Sequence, residues 1–213
     1  MGERLGLDRP KAFANLGGRP LLAESLERLE SSHWIDRIVI AAAPGWEEPS
    51  ILVAEEISAG KVHSCVTGGE TRSESVRAAL AEVPEEAAVV LVHDAARPLL
   101  PEDVIERVLA PLGEGWDGIV PTLPVSDTIK RVEGEQVIET LPRDRLVAVQ
   151  TPQAFLAPTL RAALAGEVSD ASDCASLVEA QGGRVKVVEG DRRLLKVTDA
   201  EDLALVESWL ARA

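Results

Sequence analysis

The chain has 213 residues, 46% of them hydrophobic and 27% charged, which is ordinary globular usage with enough apolar material for a buried core. Its net charge of −14, from 36 acidic against 22 basic side chains, disfavours nucleic-acid polymers and anionic membranes as partners. No apolar run approaches the roughly 18 residues that span a bilayer. No apolar signal core follows Met1, and Cys65 and Cys174 form neither a disulfide framework nor a metal pattern. The expectation is a cytoplasmic protein in a reducing compartment.

In chain order, the first segment of interest is GERLGLDRPK (2–11). Glycines such as Gly2 let backbone N–H groups approach phosphate oxygens, and Arg4 and Lys11 add fixed positive charge. A plain basic terminus is the other reading. A helix is expected over 20–30, entered through Pro20, and a buried strand over 35–43. A short strand over 62–66 leads into GGETRSESV (68–76), whose glycines precede a helix over 72–81. The Gly69 backbone and Ser75 suit hydrogen bonding to a base edge, and an ordinary glycine turn is the alternative.

Residues 88–92 (AVVLV) read as a buried strand running straight into HDAARP (93–98). Ligands in open parallel sheets bind beyond the carboxyl ends of strands. Asp94 and Arg97 are therefore candidates for substrate or metal contact, against a reading as a turn capped by Asp94 and stopped by Pro98. His93 reads as structural, because phosphoryl chemistry needs little help from a general base. A helix over 101–112 and a strand over 118–121 follow. Residues 127–133 and 136–141 then alternate in polarity around Gly134-Glu135, which predicts a β-hairpin. Such an arm buries little of its own surface and is expected to pack against a partner subunit. Thr128, Arg143 and Thr151, on and after the arm, suit a phosphate clamp across that interface, or are ordinary surface polar residues. Helices over 158–165 and 173–181, short strands over 184–188 and 194–197, and a helix over 199–211 complete the chain. Lys196 falls at a strand end before the last helix, a place that suits phosphate. The alternation of strands and helices argues for a mostly parallel sheet with helices on both faces.

Taken in order, PKAF (10–13), GGETRSESV (68–76), VHDAARP (92–98), PVSDTIK (124–130), QTPQAF (150–155) and LKVTDAEDL (195–203) resemble the 2-C-methyl-D-erythritol 4-phosphate cytidylyltransferase family over nearly the whole chain. The resemblance implies one domain over 1–213. Its fold would be α/β, a Rossmann-like nucleotidyltransferase three-layer sandwich with a protruding β-arm at about 124–152. It also implies a homodimer with composite sites, CTP and an alditol phosphate as substrates, and Mg²⁺ or another divalent cation. By motif match, Arg4 and Lys11 would stabilise the triphosphate. Arg143 (from a partner's arm) and Lys196 would hold the acceptor phosphate. Gly69, Glu70 and Ser75 would face cytosine. Asp94, Ala95 and Arg97 would contact the acceptor or metal-bound phosphates, with the metal held mainly by CTP and Asp94 as its protein contact. Thr128 would reach the acceptor from the other subunit.

Members of that family open with an apolar strand leading into AAGxGxRxG, whereas this sequence has only the tail, Gly2-Glu3-Arg4-Leu5-Gly6. A first strand and half of a phosphate loop are thus missing, with an upstream start or a trimmed chain as the expected cause. Loss of a central strand is expected to expose sheet edges and remove phosphate donors. The nearest rival reading is a ribitol-5-phosphate cytidylyltransferase, which shares donor, fold and most motifs. A nucleotide-binding module without catalysis is a rival from another class. A dinucleotide-dependent oxidoreductase fits poorly, since no complete GxGxxG follows a strand.

Overall fold

A computed structural model describes residues 8–166 and 171–211; the expectations for Gly2 and Arg4 lie outside the described residues. β1 (Asn15–Leu16) and β2 (Arg19–Pro20) make a small antiparallel hairpin before α1 (Leu21–Ser31). Leu21, Leu22, Ala23 and Leu26 of α1 are buried, and its one buried acid, Glu24, pairs with Arg19 and Arg28. β3 (Ile38–Ala42), α2 (Glu47–Glu56) and β4 (Val62–Thr67) follow, with β3 and β4 in parallel register. α3 (Arg72–Ala81) starts with a complete capping box between Thr71 and Glu74, which satisfies two amide groups of its first turn.

β5 (Val89–Val92), α4 (Glu102–Leu109) and β6 (Gly118–Pro124) come next. The arm is β7 (Ile129–Glu133) and β8 (Gln136–Leu141), antiparallel, with Glu133 opposite Gln136. Gly134 turns the hairpin at φ 55°, the left-handed region where glycine carries no Cβ penalty. Val132 and Val137, each 54% exposed, leave apolar surface uncovered on the arm. β9 (Val147–Val149) and β10 (Gln153–Leu156) bring the chain back, then α5 (Ala157–Ala163), α6 (Cys174–Ala180), β11 (Val185–Glu189) and α7 (Ala200–Leu210). Asp173 caps α6 and Asp199 caps α7 through their side-chain oxygens.

The larger sheet has the order β11-β6-β10-β5, with β9 on the far end of β6. β11 runs parallel to β6, and β10 runs against both of its neighbours. β5, β6 and β11 therefore share one direction, and with β3 and β4 the architecture is mostly parallel. Consecutive residues of β6 feed opposite faces, as the strand period requires. Ile119 packs with Ala154, Leu194 and α4 on one side, and Val120 with Phe155, α5 and α6 on the other. Helices thus cover both faces, giving three layers. A Cβ on Gly118 would lie 2.7 Å from the Phe155 ring, so glycine is what lets that fully buried ring pack across β6.

Two expectations need correction. The strand expected over 194–197 is a 3-10 turn (Arg192–Leu194) followed by irregular chain, because its backbone bonds go to the 93–98 loop instead of a ladder: Val197 N donates to Ala96 O at 2.8 Å. α2 was not expected, since Pro49 falls in its first turn and Ile51 and Leu52 face solvent, which erases the helical period.

Candidate active site

The carboxyl ends of β4 and β5 and the 194–199 segment meet around one carboxylate. Asp94 follows β5 and is largely buried. Arg72 Nε, at the first turn of α3, donates to Asp94 Oδ1 at 3.2 Å. Lys196 Nζ donates to Oδ2 at 2.8 Å, and Arg97 Nε lies 3.9 Å from the same oxygen. Burial by itself pushes the Asp94 carboxyl up, but Arg72 and then Lys196 outweigh it and hold it down at about 2. Three cations on one carboxylate leave local positive charge in a chain of net charge −14. An anionic ligand gains from such a focus.

The loop itself is rigidly held. Asp94 N donates to Thr151 Oγ1 at 3.1 Å, and Thr151 lies 3.2 Å from His93 Nδ1, whose Nε2 is 3.1 Å from Arg97 O. Burial pushes His93 down to about 4, so its ring is neutral near pH 7 and serves as a spacer. Ser25 Oγ donates to Ala95 O at 3.0 Å, and Arg97 Nη1 donates to Leu194 O at 2.5 Å. Arg97 Nε is buried without a hydrogen-bond partner. A cavity of about 260 Å³ opens here, lined by Arg72, Asp94, Arg97, Thr151, Gln153 and Lys196 among others.

The glycine turn after β4 is built for close approach. A Cβ on Gly68 would stand 2.7 Å from Ser75 Oγ and 3.1 Å from Ala42 O. Gly69 N donates to Ser75 Oγ at 3.1 Å, and that hydroxyl donates to Thr71 O at 3.0 Å. Ser75 therefore shapes the turn, while Glu70 is exposed beside it. Lys11 lies in a 3-10 turn (Lys11–Phe13) near the start of α7. There burial pushes the Asp202 carboxyl up, and the hydrogen bonds of Thr198 and, least, the charge of Lys11 bring it below its usual range. Thr198 also follows Lys196 by two residues, so both lysines border the same segment.

The family profile for 2-C-methyl-D-erythritol 4-phosphate cytidylyltransferase matches residues 1–212. The chain belongs to that family. Among its relatives, proteins of that name from Frankia casuarinae and Saccharopolyspora erythraea are 43% and 45% identical over 212 and 214 residues. Each match covers 99% of this chain, and 78% and 95% of the relative, respectively. The crystal structure of the Thermus thermophilus cytidylyltransferase superposes with a TM-score of 0.79 at 38% identity, covering 96% of this chain and 95% of that one.

Within this cytidylyltransferase fold, Asp94, Arg97, Thr151 and Lys196 line one cavity, and Ala95 lies in the same loop as Asp94 and Arg97 without lining it. Thr128 and Arg143 do not join them: both are exposed on or beside the arm, where Arg143 Nη1 donates to Ser126 O, and neither lines the cavity. No cluster of three His, Cys, Asp or Glu side chains that could hold a metal occurs among the described residues. Asp94 was the expected protein contact for a divalent cation, yet its carboxylate is committed to Arg72 and Lys196 with Arg97 behind, a setting that repels a dication. The residues around Asp94 do not fit a protein-held metal.

Sequence reasoning missed Arg72. A cation in the first turn of a helix works against the macrodipole, which favours anions there. That anomaly was the available signal, and Asp94 is what offsets it. Arg72 Nη1 also lies 3.3 Å from Cys174 Sγ, whose thiol burial pushes up. Gln153 joins this wall by accepting from Cys174 N at 3.2 Å and donating to Asp173 Oδ2 at 2.9 Å.

Proposed function

We propose that this chain transfers the cytidylyl group of CTP to 2-C-methyl-D-erythritol 4-phosphate, releasing pyrophosphate. The observation that carries this reading is the convergence of Arg72, Arg97 and Lys196 on Asp94 beside a cavity, with the Arg97 Nε donor still unpaired. An oxygen of the acceptor phosphate attacks the α-phosphorus of CTP in line. The new O–P bond forms as the bond to the β-phosphate oxygen breaks, and pyrophosphate carries off the electron pair. The acceptor oxygen is already anionic, so no protein base is required. Catalysis is then alignment and neutralisation of charge.

In this reading Arg97 and Lys196 hold the acceptor phosphate. Asp94 keeps Lys196 aimed at the cavity, and the half-exposed lysine is free to trade the carboxylate for a phosphate oxygen. Lys11 and Arg4 attend the triphosphate. The Gly69 backbone, Glu70 and Ser75 face the cytosine, Thr151 lines the cavity and holds the Asp94 amide, and Ala95 contacts the acceptor. The exposed valines of the arm support a homodimer in which Thr128 and Arg143 complete the partner's site. A divalent cation, where one takes part, rides on the triphosphate, and no step above depends on it. The chain acts as one unit in the cytoplasm; no described helix is long and apolar enough to cross a membrane.

The family match does not favour the ribitol 5-phosphate reading. Pyrophosphate release, measured with CTP and each alditol phosphate in turn, tests the assignment. Turnover confined to methylerythritol phosphate supports it, and turnover confined to ribitol phosphate overturns it. CTP binding by calorimetry without pyrophosphate release would reduce the chain to a nucleotide-binding module.

A further inference from the structure

Lys196 has to change partners if it is to serve an acceptor phosphate. Its bond to Asp94 Oδ2 at 2.8 Å ends when a phosphate oxygen takes the ammonium, so that bond does not keep the segment in place during the reaction. The stretch from Asp191 to Val197 therefore needs fastenings that an arriving anion leaves alone. Leu194 O is held by Arg97 Nη1, and Val197 N donates to Ala96 O; both of these partners belong to the 93–98 loop that the anion itself visits. At the amino end of the stretch the fastening is Gln150.

The ladder between β6 and β11 ends with Glu189 opposite Thr122, and one more bond runs from Gly190 N to Thr122 O at 2.8 Å. Beyond that point Asp191 has left the sheet, and a side chain takes over the part of a neighbouring strand. Gln150 Nε2 donates to Asp191 O at 2.9 Å, and Gln150 Oε1 accepts from Asp191 N at 3.0 Å. A primary amide offers a donor and an acceptor side by side, which matches both backbone groups of one residue. Gln150 is itself anchored, because it is buried and its N donates to Pro121 O at 2.8 Å. A Cβ on Gly190 would lie 2.2 Å from Gln150 Oε1 and 2.9 Å from Thr122 O, so glycine makes room for the amide.

Asp191 in turn starts the 3-10 turn. Its O accepts from Leu194 N at 3.0 Å, and its Oδ1 accepts from Arg193 N at 2.7 Å. Lys196 follows two residues after that turn. The residue next to Gln150 is Thr151, whose hydroxyl accepts from the Asp94 amide. One dipeptide thus sets the spacing between the loop that carries Asp94 and the stretch that carries Lys196.

We infer that Gln150 is a positioning residue for Lys196: its amide fixes where the 191–197 stretch leaves the sheet, so that the ammonium still reaches the acceptor phosphate once it has let go of Asp94. Gln150 lines the cavity, yet both ends of its amide are committed to Asp191, and an uncharged pair of bonds persists when an anion enters. The inference rests on the reading that Lys196 holds the acceptor phosphate.

Gln150→Leu keeps the side-chain volume and removes both bonds to Asp191. It raises the KM for the acceptor on the order of tenfold and leaves the KM for CTP within about twofold. In a Lys196→Ala background the same substitution changes the acceptor KM by less than about twofold, because the group it positions is gone. A merely structural role gives equal losses in both backgrounds. Gln150→Glu, which keeps the bond from Asp191 N and loses the donor, shows the same split. Binding of inorganic phosphate, followed by NMR on the amides of residues 94–97, repeats the comparison without CTP. If the wild type turns over neither alditol phosphate, the activity reading falls, and the phosphate comparison still judges the role of Gln150. The inference is overturned by equal losses in both backgrounds, by a CTP KM that rises as much as the acceptor KM, by unchanged acceptor KM and phosphate affinity in Gln150→Leu, or by failure of both variants to fold.

Discussion

Replacing Asp94 by Asn keeps the shape of the side chain and deletes the charge that Arg72, Arg97 and Lys196 share. The fold lowers this carboxyl from 3.8 to about 2, and at about 1.4 kcal/mol per pH unit that corresponds to about 2 kcal/mol of stability. Removing one partner of a fully buried ion pair costs about 3–5 kcal/mol. Lys196 is 40% exposed and can rehydrate, so the loss for Asp94→Asn near pH 7 falls at about 2–3 kcal/mol. The sign follows from the lowered value. The contribution is complete above the unfolded value of 3.8 and is lost as pH falls through about 2. Urea titrations of both proteins, repeated from neutral pH downward, read it directly. The gap between wild type and variant should be full at neutral pH and shrink below 3.8. A gap under about 0.5 kcal/mol at neutral pH, or one that holds constant into strong acid, would refute the shared-charge account of the site.

Lys196→Ala should lower turnover at least about a hundredfold, on the order of 2–4 kcal/mol at the barrier, with the far-ultraviolet spectrum unchanged. Lys11→Ala should do the same, and near-normal rates would remove that residue from the mechanism. His93 is held at about 4 by burial, so it contributes stability that is complete above 6.5 and lost as pH falls through about 4; His93→Gln should flatten that part of the acid limb. Gly68→Ala drives a methyl into Ser75 Oγ and Ala42 O, and should raise the KM for CTP more than it lowers the melting temperature. Val137→Lys on the arm should shift sedimentation toward monomer and cut activity, while leaving CTP affinity of the monomer intact.

The parallel scaffold was legible because its strands carry continuous apolar runs and its helices carry caps. IVIAA in β3 and VVLV in β5 state their structure locally. The arm was legible because Gly134-Glu135 sits between two alternating segments. β10 was not, since QAFL is only four residues long and its role, an antiparallel insertion between β5 and β6, is set entirely by tertiary pairing. The segment around Lys196 misread as a strand for a related reason: Leu194 and Val197 bury in two separate clusters, and the backbone bonds to the 93–98 loop without a ladder. For the site, HDAARP and KVT were visible as motifs, but Arg72 was hidden in a helix start, where its partner 22 residues away gave no local mark.

The carboxylate at the centre of the cavity draws on residues far apart along the polypeptide. Lys196 and Asp94 are 102 positions apart, as are Cys174 and Arg72, and Thr151 reaches Asp94 across 57. Closing loops of that length precedes any gain from the contacts they bring. During refolding, helical content should therefore return before transferase activity does, and the interval between the two signals would time the moment at which the last third of the chain docks onto the segment that carries Arg72 and Asp94.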